Sequence, residues 1–580
     1  MRRIIAKILP PIIKDIARVT LNWFKRRKLK YDARRWDDKT VTKSTGIEFI
    51  KLFEIQDVDN KKFFAIRHEE EIKDTILIPP KKNLKFKLRI SQNPSDIIFS
   101  YTNLETEAFS GKYEVFQNNN PIASLEYPRV KLWNRQWLKY NGNSNFEIKN
   151  NTDRNMYFAQ PVLLFNCDST SKSLQNIFIV VLDQVDEKTF DELYENNSIP
   201  NIKKFFSKNS LHFKNCLCPG EWTVPCFNSI FTGQTPSVHG FYDLKHSASL
   251  KKIIPENNLI KYLKQNNFHS FGIVKSKGHN QNYEVHGYFD RYLFFDDIPG
   301  KTDDDDDTFI SKTIDNLESH KKNKNFVFLH FMKTHSPYYM PSYYEEKLLD
   351  KNRTLDPSKE FSQSEIGFGD TKIEVHLDET KFNQDIKKRQ MVRLRRTDML
   401  LGQLFDYIDK NHDKNSITIL TADHGLPHGV KQDKILNDSW INIPFRINFS
   451  DLNKFEFTQC ENFISTTDTF NLIKHFIKND QDLDNLIFPF NNNFKPEQGV
   501  AITESIFNEK YKVAVGNNFE IFRLSCYFDP IRKNVHLSKL FKKNLYKDNI
   551  EINLSDKRYA FFLEIIKNNL KKSKILNLII

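Results

Sequence analysis

Three short runs carry residue types that can do chemistry, and each closes an apolar stretch. In "NIFIVVLDQVDE", Asp183 directly follows the apolar run and Asp186 comes three residues later. A carboxylate there can ligate a metal or cap the helix that follows. In "SITILTADHGLPHG", Asp423 and His424 stand side by side, Gly425 permits a sharp turn and His428 lies just beyond. A hard oxygen donor beside an imidazole suits Zn²⁺ or Mn²⁺, and the competing reading is a polar turn with a hydrogen-bonded histidine. In "NFVFLHFMKTHSPYYMP", Lys333, Thr334 and His335 end the apolar run, whereas His330 lies inside it and reads as a hydrogen-bonded core residue. A fourth stretch, "CPGEWTVPCFNSIFTGQTPSVHG", sets Thr223 between Cys218 and Cys226 and ends at Gly240, just after His239. Either a hydroxyl or a thiol there could be a nucleophile, and Thr223 could equally be a helix N-cap.

The elements that must position these residues follow from periodicity. From "SKSLQNIFIVVL" onward, strand-like runs such as "SFGIVKS", "NFVFLHFM" and "SITILTA" alternate with helical ones such as "RRTDMLLGQLFDYIDKN". That alternation predicts an α/β domain over 169–535, a mainly parallel sheet covered by helices on both faces. Ligands of such folds sit beyond the carboxyl ends of the strands, so Asp183, Asp423 and His335 are expected at one edge. The acidic run Asp303 to Asp307 opens a helix, where negative charge suits the dipole.

Residues 45–168 read differently. Short alternating or aromatic runs separated by Asn, Asp, Gly and Pro turns predict an antiparallel β-sandwich, jelly-roll-like and a candidate for sugar binding. Trp133, Trp137 and Tyr140 could stack on a sugar ring, with buried core the expectation for at least two of them. Residues 1–44 form a basic segment with apolar residues at helical spacing, interrupted at Pro10 and Pro11. Lying on an anionic membrane face and packing on the protein itself are both open to its first thirty residues. The chain is expected to close with a β-hairpin and a basic helical tail over 536–580.

Composition narrows the classes. At 580 residues, more than one domain is expected, and no apolar run approaches the ~20 residues of a membrane span. The six cysteines make no CxxC pair, and with no secretory signal they read as free thiols of a reducing, cytoplasmic compartment. A net charge of +13 is spread along the chain rather than gathered with aromatic platforms, which argues against a nucleic-acid role.

The clusters stand in an order that resembles the alkaline phosphatase superfamily, particularly its sulfatase-like and phosphotransferase branches. The resemblance runs from about Asn176 to Asp529. It includes "FIVVLDQVDE", "SIPNIKKFFSKNSLHFKNC", "TVPCFNSIFTGQTPSVHG", "FVFLHFMKTHSPY", "RRTDMLLGQLFDYI" and "TILTADHG". It implies that Asp183, Asp423 and His424 bind a core divalent metal, with Thr223 as nucleophile and further ligand. It also implies that His335 and His428 bind a second metal or, with Lys333, the substrate's anionic oxygens. His239 matches a motif of structural role, and Asp186 has only a loose counterpart. Zinc or manganese leads the expected metals, with magnesium and calcium behind, as one ion or two.

One departure matters. The formylglycine sulfatases carry C-x-P-x-R or its serine form, whereas here Thr223 precedes Pro225, and Phe227 stands in the arginine place. Threonine matches the phosphotransferase, phosphodiesterase and phosphonate-cleaving relatives. The leading expectation is therefore transfer of a substituted phosphoryl group through a phospho-threonine. The donor would be water-soluble, such as a nucleotide-activated compound, and the acceptor a surface polysaccharide at the inner membrane face. A phosphodiesterase or phosphatase using water is the second reading, and a non-catalytic carbohydrate-binding protein the third.

Overall fold

The computed structural model describes residues 41–44, 53–55, 61–167 with short breaks, 174–241, 257–275, 285–295, 305–335, 379–412, 415–426, 438–450, 458–478 and the strands within 500–551. The basic segment expected at 1–44, apart from its last residues, lies outside the described residues, as does His428.

Eight strands and seven helices build the core that carries the chemistry. In chain order they are β1 (Asn176–Leu182), α1 (Glu187–Glu195), α2 (Pro200–Phe206), β2 (Ser210–Leu217), α3 (Thr223–Thr232) and α4 (Leu259–Gln265). There follow β3 (Phe268–Val274), β4 (Arg291–Phe294), α5 (Asp305–Ser319), β5 (Lys324–Phe331), α6 (Glu379–Asn411), β6 (Ser416–Ala422), β7 (Asn442–Ser450), β8 (Thr458–Ser465) and α7 (Thr469–Lys478). The strands lie in the order β4-β3-β5-β1-β6-β7-β2-β8. The five from β4 to β6 are mutually parallel, and β7 runs antiparallel between β6 and β2. Every residue of β1, β3 and β6 is buried, and β1 accordingly reads as an almost continuous apolar run.

The helices pack in two groups, α1, α2, α5 and α6 in one and α3, α4 and α7 in the other. Within the first group, Asp398 of α6 accepts from the backbone N–H of Ile202 at 2.7 Å and from the Asn201 side chain at 2.9 Å, so it caps α2 from outside. The contact is close. A Cβ on Gly402 would stand 2.7 Å from Asn201 Cγ.

The N-terminal strands form two antiparallel sheets. One holds Phe53–Ile55, Asn83–Leu88, Asn145–Asn150, Lys112–Gln117 and Asn120–Glu126. Side chains of this sheet and of the other, including Phe86, Phe146, Phe99 and Phe158, share one apolar core, with Phe99 edge-on to Phe146 at 5.4 Å. The second sheet is not separate from the α/β core. Its strand Glu71–Ile78 meets β4 through the pair Leu293 and Glu71, so the central sheet runs on into the N-terminal one.

The C-terminal end also differs from expectation. Instead of one hairpin and a helix, Val500–Phe507, Lys510–Asn517, Glu520–Asp529, Asn534–Asn544 and Ile550–Glu551 form a five-stranded antiparallel sheet. The stretch "NVHLSKLFKKN", whose charges suggest an exposed helix, pairs along the strand Glu520–Asp529. Non-local pairing decides its state over local propensity. Residues 552–580 lie outside the described residues.

Candidate active site

Register brings the site together. Leu182 of β1 pairs with Phe331 of β5 on one side and with Ala422 of β6 on the other, so the three parallel strands end level. The next residues, Asp183 and Asp423, therefore emerge side by side at the carboxyl edge, where the sequence places them. Asp183 N donates to Phe331 O at 2.9 Å, and Thr334 Oγ1 donates to Asp183 O at 2.6 Å, which fixes the first carboxylate from β5.

Asp183, Asp423 and His424 are all buried, and one donor atom of each lies within 4.8 Å of the others. His424 Nε2 stands 3.7 Å from Asp183 Oδ1 and 3.5 Å from Asp423 Oδ2. Two ligands held about 2.1 Å from a tetrahedral ion are about 3.4 Å apart, so these spacings fit a zinc-sized ion. The hydrogen bonding fits as well. Asp183 Oδ1, Asp423 Oδ2 and His424 Nε2 are the three converging atoms, and none has a hydrogen-bond partner. Their opposite ends are all engaged. Asp183 Oδ2 lies 2.9 Å from His330 Nε2, Asp423 Oδ1 accepts from Gln184 N at 3.0 Å and His424 N at 2.8 Å, and His424 Nδ1 lies 2.9 Å from Gly425 O. Buried atoms left bare while their neighbours are satisfied mark a place for a cation.

The charges agree with this arrangement. Burial pushes the Asp183 carboxyl up, but His335, His330 and His424 together outweigh it and hold the group at about 2. Burial and then the Asp183 charge push Asp423 upward, as two carboxylates at one site require.

Thr223 opens α3, and its Oγ1 lies 3.5 Å from Asp183 Oδ2. The N-cap is Trp222, with no side-chain cap bond, so the hydroxyl does not serve as the cap that the sequence left open. The two neighbouring thiols turn elsewhere. Cys218 Sγ and Cys226 Sγ both point to Gly220 O, at 3.0 and 3.3 Å, and burial pushes the Cys226 thiol well up. Phe227, in the arginine place of the sulfatase motif, is buried edge-on to the His330 ring at 4.5 Å.

Lys333 and His335 follow β5 in a short 3₁₀ turn at the same edge, and the His335 ring lies 6.4 Å from that of His424. His239 is structural in its contacts, taking Ser229 Oγ at 3.0 Å and Phe241 N at 3.0 Å. Asp186 caps α1 by accepting from Thr189 N at 2.9 Å. Gly425 serves a different purpose from a turn. A Cβ there would stand 2.1 Å from Ser439 O, so glycine is required by the close approach of 438–441, where Gly425 N donates to Trp440 O.

Two residues that bear on the site were not assigned to it from sequence. His330, read as core, holds Asp183 from inside β5. Gln390, on α6, donates from Nε2 to the carbonyl of Gln184, whose own φ of 64° is in the left-handed region and whose N–H holds Asp423.

A second carboxylate–histidine group, Glu187, Asp191 and His212, also has metal-ligand spacing. Its centre already carries a cation. Arg446 Nη2 lies 3.2 Å from Asp191 Oδ1 and 3.9 Å from Glu187 Oε1, with the guanidinium over the Tyr194 ring at 4.0 Å.

Comparison with known proteins supports the same region. The family model described as Sulfatase matches residues 175–476, just over half of the chain. Among solved structures, the sulfatase candidate yidJ from Bacteroides fragilis aligns with a TM-score of 0.51 at 13% identity, covering 71% of this chain and 99% of its own. The phosphonate monoester hydrolase of Agrobacterium radiobacter aligns with a TM-score of 0.48 at 13% identity, covering 69% and 95%. The C-terminal periplasmic domain of EcEptC from Escherichia coli, in complex with Zn, aligns with a TM-score of 0.38 at 13% identity, covering 54% and 84%. No curated protein matches the chain in sequence. Among the described residues, no helix is long and apolar enough to cross a membrane.

Proposed function

The chain belongs to the sulfatase family of the alkaline phosphatase superfamily, and from that premise we propose that it is a metal-dependent transferase moving a substituted phosphoryl group through Thr223. The observation that carries the proposal is the set of three bare, buried ligand atoms, with a threonine hydroxyl 3.5 Å from the other oxygen of Asp183 and both nearby thiols directed at Gly220 O. The mixed oxygen and imidazole donors suit zinc or manganese better than magnesium or calcium. When bound by Asp183, Asp423 and His424, such an ion supplies Lewis acidity to the phosphoryl oxygen and to the nucleophilic hydroxyl.

The rest of the chemistry falls to the chain. Thr223 Oγ1 attacks phosphorus, the Oγ–P bond forms, and the bond to the donor's leaving group breaks as that group takes a proton. Backbone N–H groups in the first turn of α3 face the developing negative charge. Lys333 and His335, at the same edge, balance the charge of the phosphoryl oxygens. An acceptor hydroxyl then attacks the phospho-threonine and frees Thr223. The donor is water-soluble, with a nucleotide-activated compound as the favoured class, and the acceptor is a sugar hydroxyl of a surface polysaccharide. The basic segment 1–30 would hold the protein at the inner, anionic face of a membrane.

The test is mass spectrometry of Thr223 after incubating the metal-loaded protein with nucleotide-activated phosphoryl donors. A phosphoryl adduct on Thr223 that is lost in Thr223→Ala is expected. No adduct on the wild type, together with full turnover by Thr223→Ala, ends the nucleophile assignment. Hydrolysis of donors with no transfer to any polysaccharide ends the transferase assignment.

A further inference from the structure

Of the three aromatic side chains that could stack on a sugar, the fold leaves one at the surface. Trp133 donates from Nε1 to Glu71 O at 3.3 Å, and Tyr140 packs against the N-terminal core. Trp137 is 48% exposed. It lies on the strand Asn134–Lys139, which pairs only with Asp96–Thr102 among the described strands. Along that strand exposed and half-buried residues alternate, so Arg135, Trp137 and Lys139 stand on one face.

The indole is held from behind. Its ring stacks on His320 with centroids 5.8 Å apart, and His320 stacks on His269 at 3.9 Å with the planes 13° apart. Burial lowers both imidazoles, His269 to about 3, so neutral rings back the indole. A flat ring fixed on one side and open on the other loses little freedom when something settles on it.

The polar groups around it select the ligand. Lys139 pairs with Asp96 at 2.9 Å, Arg135 with Glu71, and Lys321 with Glu318 at 3.8 Å. Arg135 shares Glu71 with Lys73 and Arg291, whereas Lys139 and Lys321 each have a carboxylate of their own. Asp96 is buried, but the Lys139 side chain is 84% exposed, so beside the indole a cation whose charge is balanced remains able to donate to hydroxyls.

We propose that Trp137, with the exposed Lys139 beside it, is a binding platform for a sugar ring of a polysaccharide. The ring's C–H face lies on the indole and its hydroxyls accept from Lys139. His320 lies just before β5 begins at Lys324, whereas His330 lies near that strand's other end. Six residue steps of strand separate the two levels by about 20 Å. The platform therefore holds a part of the polymer distant from the reacting group. This use rests on the polysaccharide acceptor proposed above, but binding itself needs no turnover.

Native gels cast with dextran, soluble starch, galactomannan or xylan test binding with the full chain. Retardation of the wild type by at least one of them is expected, unchanged in Thr223→Ala. Trp137→Ala should weaken it about tenfold or more, the scale of truncating a central aromatic anchor, and Trp137→Phe should keep part of it. Circular dichroism and melting of both variants report on folding. No retardation of the wild type, or equal retardation of wild type and Trp137→Ala, overturns the proposal. So does a wild-type dimer in solution that Trp137→Ala dissolves, since a second copy would then cover the ring. A polymer retained through Trp137 by a protein with no transferase activity would leave this site standing and the proposed reaction refuted.

Discussion

His330 allows a quantitative test of how the first carboxylate is held. Its Nε2 lies 2.9 Å from Asp183 Oδ2, and both side chains are fully buried. Replacing it by alanine leaves that oxygen with the Thr223 hydroxyl, 3.5 Å away, as its remaining partner. A hydrogen bond to a charged group contributes about 1.5–3 kcal/mol. Released at a metal ligand, that corresponds to roughly 10–100-fold weaker metal binding, the range found when a supporting residue behind a ligand is removed. His330→Ala also leaves a gap beside Phe227, whose ring stands edge-on at 4.5 Å. His330→Gln separates the two effects, because a glutamine amide nitrogen can take the place of Nε2 as donor. Zinc affinity measured by competition with a chromophoric chelator should fall by that factor in His330→Ala and stay within a few-fold in His330→Gln. Equal affinity in wild type and alanine variant would refute the reasoning. Equal weakening in both variants would mean that ring packing, not the hydrogen bond, holds Asp183.

Other consequences follow from the same geometry. Gln390→Ala should weaken zinc binding about tenfold with an unchanged circular dichroism spectrum, because the Gln184 peptide that holds Asp423 loses its anchor on α6. Gly425→Ala should cost about 1–3 kcal/mol in denaturant unfolding and disrupt zinc binding, since its Cβ would stand 2.1 Å from Ser439 O. Burial carries Asp468 from its ordinary 3.8 to about 6, against a hydrogen bond from Ser465 N. A raised carboxyl stabilises fully below its unfolded value and loses that contribution as the pH rises through about 6. The loss is at most about 3 kcal/mol, and less because the side chain is partly exposed. Melting temperatures of Asp468→Asn should therefore gain on the wild type between pH 4 and pH 7, and a constant difference would contradict it.

Much of the site was legible because buried parallel strands announce their own ends. After their first residues the runs before Asp183 and Asp423 are apolar or β-branched, so the first acid after each marks the carboxyl edge, and the register sets the two edges level. His330 was not legible for the same reason, since a histidine inside an apolar run looks like any buried polar residue. Gln390 was hidden by distance, 206 residues from the carbonyl it holds and on a helix with no local signal. Gly425 was noted for the turn it permits and not for the close approach of Ser439, because a chain segment that passes close by leaves no mark on the glycine's own neighbours. The strand pairing that joins the N-terminal sheet to the core has a single register pair, Leu293 with Glu71, and no alternation of residue types encodes it.

Anomalous diffraction at the zinc edge from crystals grown with zinc tests the central claim most directly. A peak bounded by Asp183 Oδ1, Asp423 Oδ2 and His424 Nε2, with Thr223 Oγ1 facing it, is the predicted result. Bare density there, or a peak among Glu187, Asp191 and His212 instead, would contradict it.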